Sequence, residues 1–154
     1  LLLGLGLSGC SVINSVLPAD KPARDDAGEV LAEGTESAFD LKVGDCVSEG
    51  TDATVVSSLT VLPCSEEHSD EVFFAFDLEE GDYPGEAAVE AIADERCVAE
   101  FPGYVGIDYT ESALTYWPMT PTEAGWSAVQ DREILCMVYD EAGTLSESVK
   151  GTGR

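Results

Sequence analysis

The sequence predicts an α+β fold, a single compact disulfide-stapled domain in which a mainly antiparallel sheet packs against one principal helix. Two observations predict it. Several β-branched or alternating apolar segments surround one long amphipathic segment, and four cysteines lie within or beside these segments. A chain of 154 residues corresponds to about one domain, and a hydrophobic content of 44% is enough to build a core.

The charge of the chain limits its partners. The formal net charge is −24, from 7 basic and 31 acidic residues. Nucleic acids and anionic membranes attract basic surfaces, so this balance argues against nucleic acid and against unaided membrane binding. Two Trp, five Tyr and five Phe residues argue against general disorder.

The first ten residues resemble an export and lipidation signal. Residues 1–9 are apolar but too short for a transmembrane helix, which needs roughly 20 residues. Leu7-Ser8-Gly9-Cys10 resembles a bacterial lipobox, in which the cysteine is lipidated and the chain is cut before it. We therefore expect a signal peptide remnant over 1–9 and a lipid on Cys10 at the outer face of the cytoplasmic membrane. An unpaired cysteine in an ordinary signal segment is the alternative.

Residues 10–40 contrast with the rest of the chain. They contain few large apolar residues after Leu17, they carry Pro18 and Pro22, and they show neither helical nor strand periodicity. Together with the lipidated cysteine they predict a disordered acidic tether over 10–40, followed by the folded domain over 41–154.

The first half of the folded part has the composition of strands. Residues 41–47 indicate a short strand or a turn, and residues 54–62, rich in β-branched side chains, indicate a strand that ends before Pro63. Residues 71–78 predict a further strand. A period of two places four apolar residues on one strand face, namely Val72, Phe74, Phe76 and Leu78.

Residues 86–101 predict the principal helix. An apolar stripe recurs every four residues along it, formed by Val89, Ala93, Cys97 and Phe101. Pro102 and Gly103 predict its end.

Two further strands are predicted near the C-terminus. One covers 113–117 and is expected to stop at Pro118, and the other covers 132–140. Both faces of the second strand are apolar, so we expect it to lie in the interior of the sheet.

The four cysteines after position 10 favour two disulfide bonds. Three pairings are possible for Cys46, Cys64, Cys97 and Cys136. We favour Cys46–Cys64, a clasp between the start of one strand and the end of the next, and Cys97–Cys136, which would join the helix to the inner strand. A four-cysteine zinc site is the alternative, but such sites usually contain closely spaced pairs of cysteines.

The spacing of these residues resembles the actinobacterial septum formation family. The resemblance covers about residues 41–154. Its motifs are Leu41-x-x-Gly44-Asp45-Cys46, Cys64-x-x-x-His68-x-x-Glu71-Val72, the helical Cys97, Asp131-Arg132 before Cys136, and the closing Leu145-x-x-Ser148-Val149-Lys150-Gly151-x-Gly153-Arg154. Gln130 and Glu147 stand where the resemblance leads us to expect glycine. It implies an exported, often membrane-anchored domain linked to division septa, and it supplies no catalytic residues.

His68 and Glu71 form one candidate site. His68 is the single histidine and lies among acidic residues, so with Glu71 it could act as a general base, a metal ligand or a pH-responsive contact. A structural histidine is the alternative, and we favour it.

Acidic and aromatic clusters supply the other candidates. An acidic loop, comprising Asp77, Glu79, Glu80, Asp82 and Glu86, has the oxygens for a hard cation but no EF-hand register, so we expect a solvated surface and predict neither metal nor cofactor. Trp117 and Trp126 belong to an aromatic and proline-rich segment that could form a binding surface. Packing in the core is the alternative, and Trp126 could equally be a structural plug beneath the last strand.

No catalytic motif appears. The chain lacks a G-x-S-x-G elbow, a P-loop and a dinucleotide fingerprint, so we predict that it is not an enzyme. The expected function is that of a lipid-anchored, extracytoplasmic envelope adaptor linked to septum formation and cell division. Its expected partners are the membrane, through the lipid on Cys10, and an envelope or divisome protein. The alternatives are a carboxylate-based hydrolase of cell-wall glycan and a cation- or pH-sensing domain.

Overall fold

The structure is a computed structural model and describes residues 21–48 and 57–154. The predicted signal remnant over 1–9, Cys10 and the first part of the predicted tether lie outside the described residues, as does the start of the strand predicted over 54–62. None of the described helices combines the length and the apolar character that crossing a bilayer requires.

The fold is α+β, as predicted. The strands are β1 (Ala23–Arg24), β2 (Val30–Ala32), β3 (Gly34–Ser37), β4 (Cys46–Val47), β5 (Ser58–Leu62), β6 (Asp70–Asp77), β7 (Thr115–Met119) and β8 (Glu133–Tyr139), and the helices are α1 (Glu86–Val105) and α2 (Glu123–Ala128). Six strands form one sheet in the order β3-β5-β4-β6-β8-β7, and β1 and β2 form a separate pair. All described strand pairs are antiparallel.

The sheet carries a hydrophobic cluster on each face. Helix α1 covers one face with the predicted stripe of Val89, Ala93, Cys97 and Phe101, all of which are buried. The other face buries a second cluster that includes Val61 and Met137. Full burial of one large apolar side chain contributes about 1.5–3 kcal/mol, so both faces contribute to the stability of the sheet.

Strand β8 connects the two clusters and confirms the prediction of an inner strand. It lies between β6 and β7. Ile134 and Val138 pack in the cluster under α1, whereas Leu135 and Met137 pack in the cluster on the opposite face. In a strand that is buried on both faces, apolar residues do not alternate with polar ones. The sequence of β8 shows this continuous apolar pattern.

The predicted face of β6 is wrong at Val72. A β-bulge between Val72 and Phe74 shifts the register against β8. Val72 packs in the cluster opposite α1, whereas Phe73 and Phe74 both pack on the α1 side. A bulge adds one residue to a strand. Side chains beyond the bulge therefore point to the opposite face from the one that a continuous two-residue period predicts, and the period alone does not show where the bulge lies.

Two prolines do not end their elements, contrary to prediction. Helix α1 continues through Pro102 for another turn, because Tyr104 and Val105 are buried in the core and Gly106 closes the helix in a left-handed conformation. Pro118 lies within β7, which pairs with β8 alone. An edge strand can turn the missing N–H of a proline to its open side.

The predicted disordered tether is wrong for residues 21–40. This segment forms β1, β2 and β3, and β3 pairs with β5. The guanidinium of Arg24 holds the buried carboxylate of Asp45 through two hydrogen bonds of 2.6 and 2.8 Å, and Val30 is buried in the second cluster. Because charged pairs rather than an apolar stripe fix the segment, its sequence lacked the periodicity that predicts structure.

Candidate functional site

The structure pairs the cysteines as predicted. Cys46–Cys64 joins β4 to the turn after β5, with the two Cα atoms 5.2 Å apart. Cys97–Cys136 joins α1 to β8, with a Cα separation of 5.6 Å. Each bridge stabilises the fold by roughly 2–4 kcal/mol by restricting the unfolded chain.

Glu71 is the centre of a hydrogen-bonded cluster that we call the Glu71 clamp, formed with Tyr104, Ser148 and Val149. The Glu71 side chain is fully buried. Its Oε1 accepts hydrogen bonds from the hydroxyls of Tyr104 at 2.5 Å and Ser148 at 2.6 Å. Its Oε2 accepts one from the amide of Val149 at 2.7 Å. The clamp thus ties β6 to helix α1 and to the C-terminal segment.

Tyr104 remains a donor in this cluster. Burial raises the pKa of its phenol well above the ordinary range, and the hydrogen bond to the Glu71 carboxylate raises it further. The proton therefore stays on the phenol oxygen across the physiological pH range. Glu71 is thereby satisfied by neutral donors, which makes it a structural residue rather than a catalytic base.

His68 is also buried, with 1% of its surface exposed. Its backbone pairs with that of Leu145, and its Nδ1 donates a hydrogen bond of 2.7 Å to the carbonyl of Glu66. Its Nε2 is buried and has no hydrogen-bond partner among the described residues. Since neither His68 nor Glu71 reaches solvent, the pair has no access to an external substrate.

The two tryptophans that the sequence singled out serve in packing. Trp126 is buried, donates its indole N–H to the carbonyl of Gly81 at 2.9 Å, and lies under the guanidinium of Arg132. Trp117 is half-buried in β7 and donates its indole N–H to Asp70 at 2.7 Å. Trp126 is therefore the structural plug rather than a surface anchor.

A candidate binding surface lies on the sheet face opposite α1, in a cleft that we call the acidic groove. It consists of two adjoining cavities of about 550 and 450 Å³ that share Phe39, Val129, Asp131 and Glu133. Asp77 contributes to the first cavity, whereas Met119 and Leu135 line the second. The groove thus combines an apolar floor with a carboxylate wall.

Two apolar side chains stand exposed at the groove. Phe39 lies in a 3-10 turn at Ala38–Asp40 and is 57% exposed, and Val129 follows α2 and is 64% exposed. Because large apolar side chains beside a cavity gain free energy when a ligand covers them, this arrangement is typical of a binding surface.

The carboxylates of the groove are only partly compensated. Asp77 and Glu133 are cross-strand neighbours at the ends of β6 and β8. Burial raises the pKa of both Asp131 and Glu133, and the charge of Asp77 raises both further, whereas the backbone amide of Glu133 and the charge of Arg132 offset part of the rise at Asp131. Within the described part of the chain, none of these three carboxylates forms a salt bridge. A cation placed here would relieve their mutual repulsion.

Arg132 lines the first cavity and offsets only part of the acidic charge of the groove. Its guanidinium lies 3.5 Å from the centre of the Trp126 ring, and its Nη1 donates to the carbonyls of Trp126 and Asp131. Its contact with the exposed Glu80 is 3.8 Å long. The groove is therefore negative in spite of the arginine at its edge.

Gln130 shapes the loop between the two parts of the groove. It has a φ of 56°, the left-handed region that glycine occupies without strain. This is the position where the resemblance led us to expect glycine. The loop that carries Val129 and Asp131 is therefore held in a strained conformation by its surroundings.

The acidic loop predicted after β6 divides between two places. Asp77 and Glu80 face the acidic groove, whereas Glu79 and Asp82 line a neighbouring cavity. In the described ranges, the loop carboxylates do not converge on a common point as cation ligands would.

Sequence reasoning missed the groove for two reasons. Phe39 fell in the segment predicted to be disordered, and Asp131 and Glu133 were two among 31 acidic residues. One sequence feature could have indicated the groove. Asp131-Arg132-Glu133 places two acidic residues at the start of the inner strand β8.

Comparison with known proteins supplies the family. The model of the septum formation family matches residues 43–154. Comparisons with curated proteins and with solved structures found no match. The family match covers more than half of the chain, including β4 to β8, both helices and all four paired cysteines. The chain therefore belongs to the septum formation family.

Proposed function

We propose that this chain is an anchored binding module of the cell envelope that acts in septum formation by holding a segment of a partner protein in the acidic groove. The observation that carries the proposal is the placement of exposed Phe39 and Val129 beside three carboxylates that form no salt bridge within the described part of the chain. Family membership supports the link to septum formation.

Charge complementarity defines the partner. The groove offers the carboxylates of Asp77, Asp131 and Glu133 beside an apolar floor. A segment with one or two Lys or Arg residues next to an apolar side chain would satisfy both parts, because its cations would meet carboxylates that are only partly compensated and its apolar side chain would cover Phe39. An acidic segment would be repelled by the same wall and by the net charge of −24.

The anchor is the second part of the proposal. The lipobox-like Leu7-Ser8-Gly9-Cys10 supports lipidation at Cys10 and a location on the outer face of the cytoplasmic membrane. Each buried CH₂ of a lipid contributes about 0.8 kcal/mol to membrane affinity. Because the protein is strongly acidic, the lipid rather than the protein surface would provide the attraction to an anionic membrane.

The groove can be tested with defined peptides. Isothermal titration of the full chain with a Lys- and Leu-containing peptide should show binding that the double variant Phe39→Ser, Val129→Ser weakens about tenfold, or about 1.4 kcal/mol. Leu31→Ser is the matched control, since Leu31 is 62% exposed and does not line the groove. An equal loss in this control would contradict a groove-specific site.

The charge of the groove needs a separate comparison, since any cationic peptide is attracted to an acidic protein. The double variant Asp131→Asn, Glu133→Gln should bind the peptide more weakly than the double variant Glu95→Gln, Glu100→Gln, although both change the net charge equally. Glu95 and Glu100 are exposed on α1, away from the groove. Equal effects would show non-specific attraction and reject the site.

A wall-glycan hydrolase is the second candidate. The placement of Asp131 and Glu133 side by side at a cavity favours it, because burial raises the pKa of both carboxyls, which is the direction that a general acid requires. Incubation with peptidoglycan fragments distinguishes the two functions. Turnover that Asp131→Asn abolishes would support the hydrolase, whereas peptide binding without turnover supports the binding module.

A further inference from the structure

We propose that the partner segment crosses the end of β6 and binds through two apolar side chains that flank one basic side chain. The inference rests on the proposed function and specifies its ligand, because it adds a second apolar contact beyond the acidic groove. That contact is a cavity on the α1 side of the sheet, which we call the Ile92 pocket.

The Ile92 pocket adjoins the acidic groove. Its volume is about 370 Å³, and Asp77 and Leu78 line both this pocket and the first cavity of the groove. The other apolar residues of its lining are Phe76, Pro84, Ile92 and Trp126. A ligand that fills the groove can therefore continue past the last residue of β6 and reach a second apolar surface.

Ile92 is an exposed apolar side chain of this pocket. It lies on α1, one position before the buried Ala93, and is 39% exposed. Val98 on the same helix is 37% exposed but lines neither the pocket nor the groove. Single exposed apolar residues are common on protein surfaces, so Val98 needs no ligand. Ile92 belongs to a concave apolar patch, which gains free energy when a ligand covers it.

The carboxylates at the end of β6 fix the position of the basic side chain. Asp77 is exposed where the two cavities meet, and Glu79 and Asp82 line the Ile92 pocket. Among the described residues, none of these three carboxylates forms a salt bridge. A Lys or Arg side chain at the centre of the segment would lie beside Asp77 and would be attracted from both cavities.

Arg96 disfavours a second basic side chain at the far end of the segment. It lines the Ile92 pocket, and its guanidinium carbon lies 4.6 Å from the centre of the Phe76 ring. A cation of the ligand placed here would be repelled by this charge. The ligand therefore presents an uncharged apolar side chain to the pocket, and the order of its side chains is apolar, basic, apolar.

An extended segment of five residues matches this order. Alternate side chains of an extended chain point to the same side, so the first, third and fifth residues face the protein together. The Cα atoms of the first and fifth residues lie roughly 13 Å apart, which suits two adjoining cavities of these volumes.

Isothermal titration of the full chain with two peptides tests the second apolar contact. Both have acetyl and amide ends and the same charge, and their sequences are Leu-Ser-Lys-Ser-Leu and Leu-Ser-Lys-Ser-Ser. The first should bind about fivefold more tightly, because only its second Leu side chain reaches the Ile92 pocket. Ile92→Ser should remove this advantage, whereas the matched control Val98→Ser should keep it.

A permuted peptide tests the order of side chains without any variant. Leu-Leu-Ser-Ser-Lys has the same composition and charge as Leu-Ser-Lys-Ser-Leu, and we expect it to bind about fivefold more weakly, because it cannot place an apolar side chain on each side of its Lys. This comparison decides if Ile92→Ser fails to fold.

The outcomes separate this inference from the proposed function. Equal affinity of the permuted peptide, or an advantage of the second Leu that survives Ile92→Ser, would overturn the inference. The proposed function would still stand if Phe39→Ser, Val129→Ser weakened the peptide with one Leu. If none of the peptides bound, both would fail.

Discussion

Acidic side chains on the two faces of the sheet have opposite environments. On the α1 side, Glu71 is fully buried and accepts three hydrogen bonds. On the other side, Asp131 accepts one backbone amide bond at 3.2 Å, and the carboxylate of Glu133 accepts none from the described residues. A carboxylate with a full set of donors holds the fold together, whereas carboxylates without them remain available to a ligand.

The largest test of this contrast is Glu71→Ala. It leaves the hydroxyls of Tyr104 and Ser148 and the amide of Val149 without their acceptor, so we expect a loss of about 3–5 kcal/mol in the free energy of unfolding. Urea denaturation measures it. The exposed Glu95→Ala is the control, and a loss below about 1 kcal/mol for Glu71→Ala would remove the distinction between the two faces.

Trp126→Ala tests what supports the groove. Trp126 lies beneath Arg132 and beside Tyr83, so its removal creates a cavity and should cost about 3 kcal/mol. Trp126→Phe keeps a ring but loses the hydrogen bond to Gly81 and should cost less. Thermal unfolding compares the stability of the two variants. If Trp126→Ala lost peptide binding completely while its stability stayed unchanged, Trp126 would act as a surface anchor instead.

Gln130→Gly tests the strain in the groove loop. Glycine adopts the φ of 56° without the penalty that a side chain incurs, so we expect a gain of about 0.5–1 kcal/mol. Gln130→Ala keeps the Cβ atom and should bring no gain. Urea denaturation measures the free energy of unfolding of both variants. An equal gain in both would show that the effect comes from the glutamine side chain and not from the backbone.

Glu133→Gln gives the smallest change and a defined pH dependence. Burial raises the pKa of Glu133 in the folded state, so the fold favours the protonated carboxyl and loses stability as the pH rises through that pKa. The Gln variant mimics the protonated form. At neutral pH it should be more stable by about 0.3 kcal/mol, since solvent screens a half-exposed charge.

Chemical denaturation at several pH values checks this prediction. The difference between wild type and Glu133→Gln should shrink as the pH falls through the folded-state pKa and vanish below the ordinary pKa of an unfolded glutamate. A difference that grows on acidification would mean that the carboxylate is stabilised in the fold, contrary to a groove whose carboxylates are only partly compensated.

The sequence predicted the parts of the fold that depend on apolar periodicity. The stripe of α1 and the two apolar faces of β8 identified both elements, and the positions of Cys97 and Cys136 on them identified a bridge. It could not predict the bulge after Val72, because a bulge interrupts the period by a single residue. It also could not predict β1 to β3, which are held by the Arg24–Asp45 pair and by pairing with distant β5.

The acidic groove lay beyond sequence reasoning because it is assembled from distant parts of the chain. Phe39, Asp77 and Glu133 belong to three separate segments that meet only when the sheet has formed. The sequence singled out His68 and Glu71 as candidates, and the burial of both residues fits the structural interpretation that it favoured for His68.

The Glu71 clamp joins residues that are far apart in the sequence. Glu71 receives donors from Ser148 and Val149, which follow it by 77 and 78 residues. The carboxylate on β6 therefore has only one of its three donors until synthesis has reached residue 149. A chain cut before Ser148 would keep a buried carboxylate short of two donors, so the C-terminal segment completes the interior of the domain.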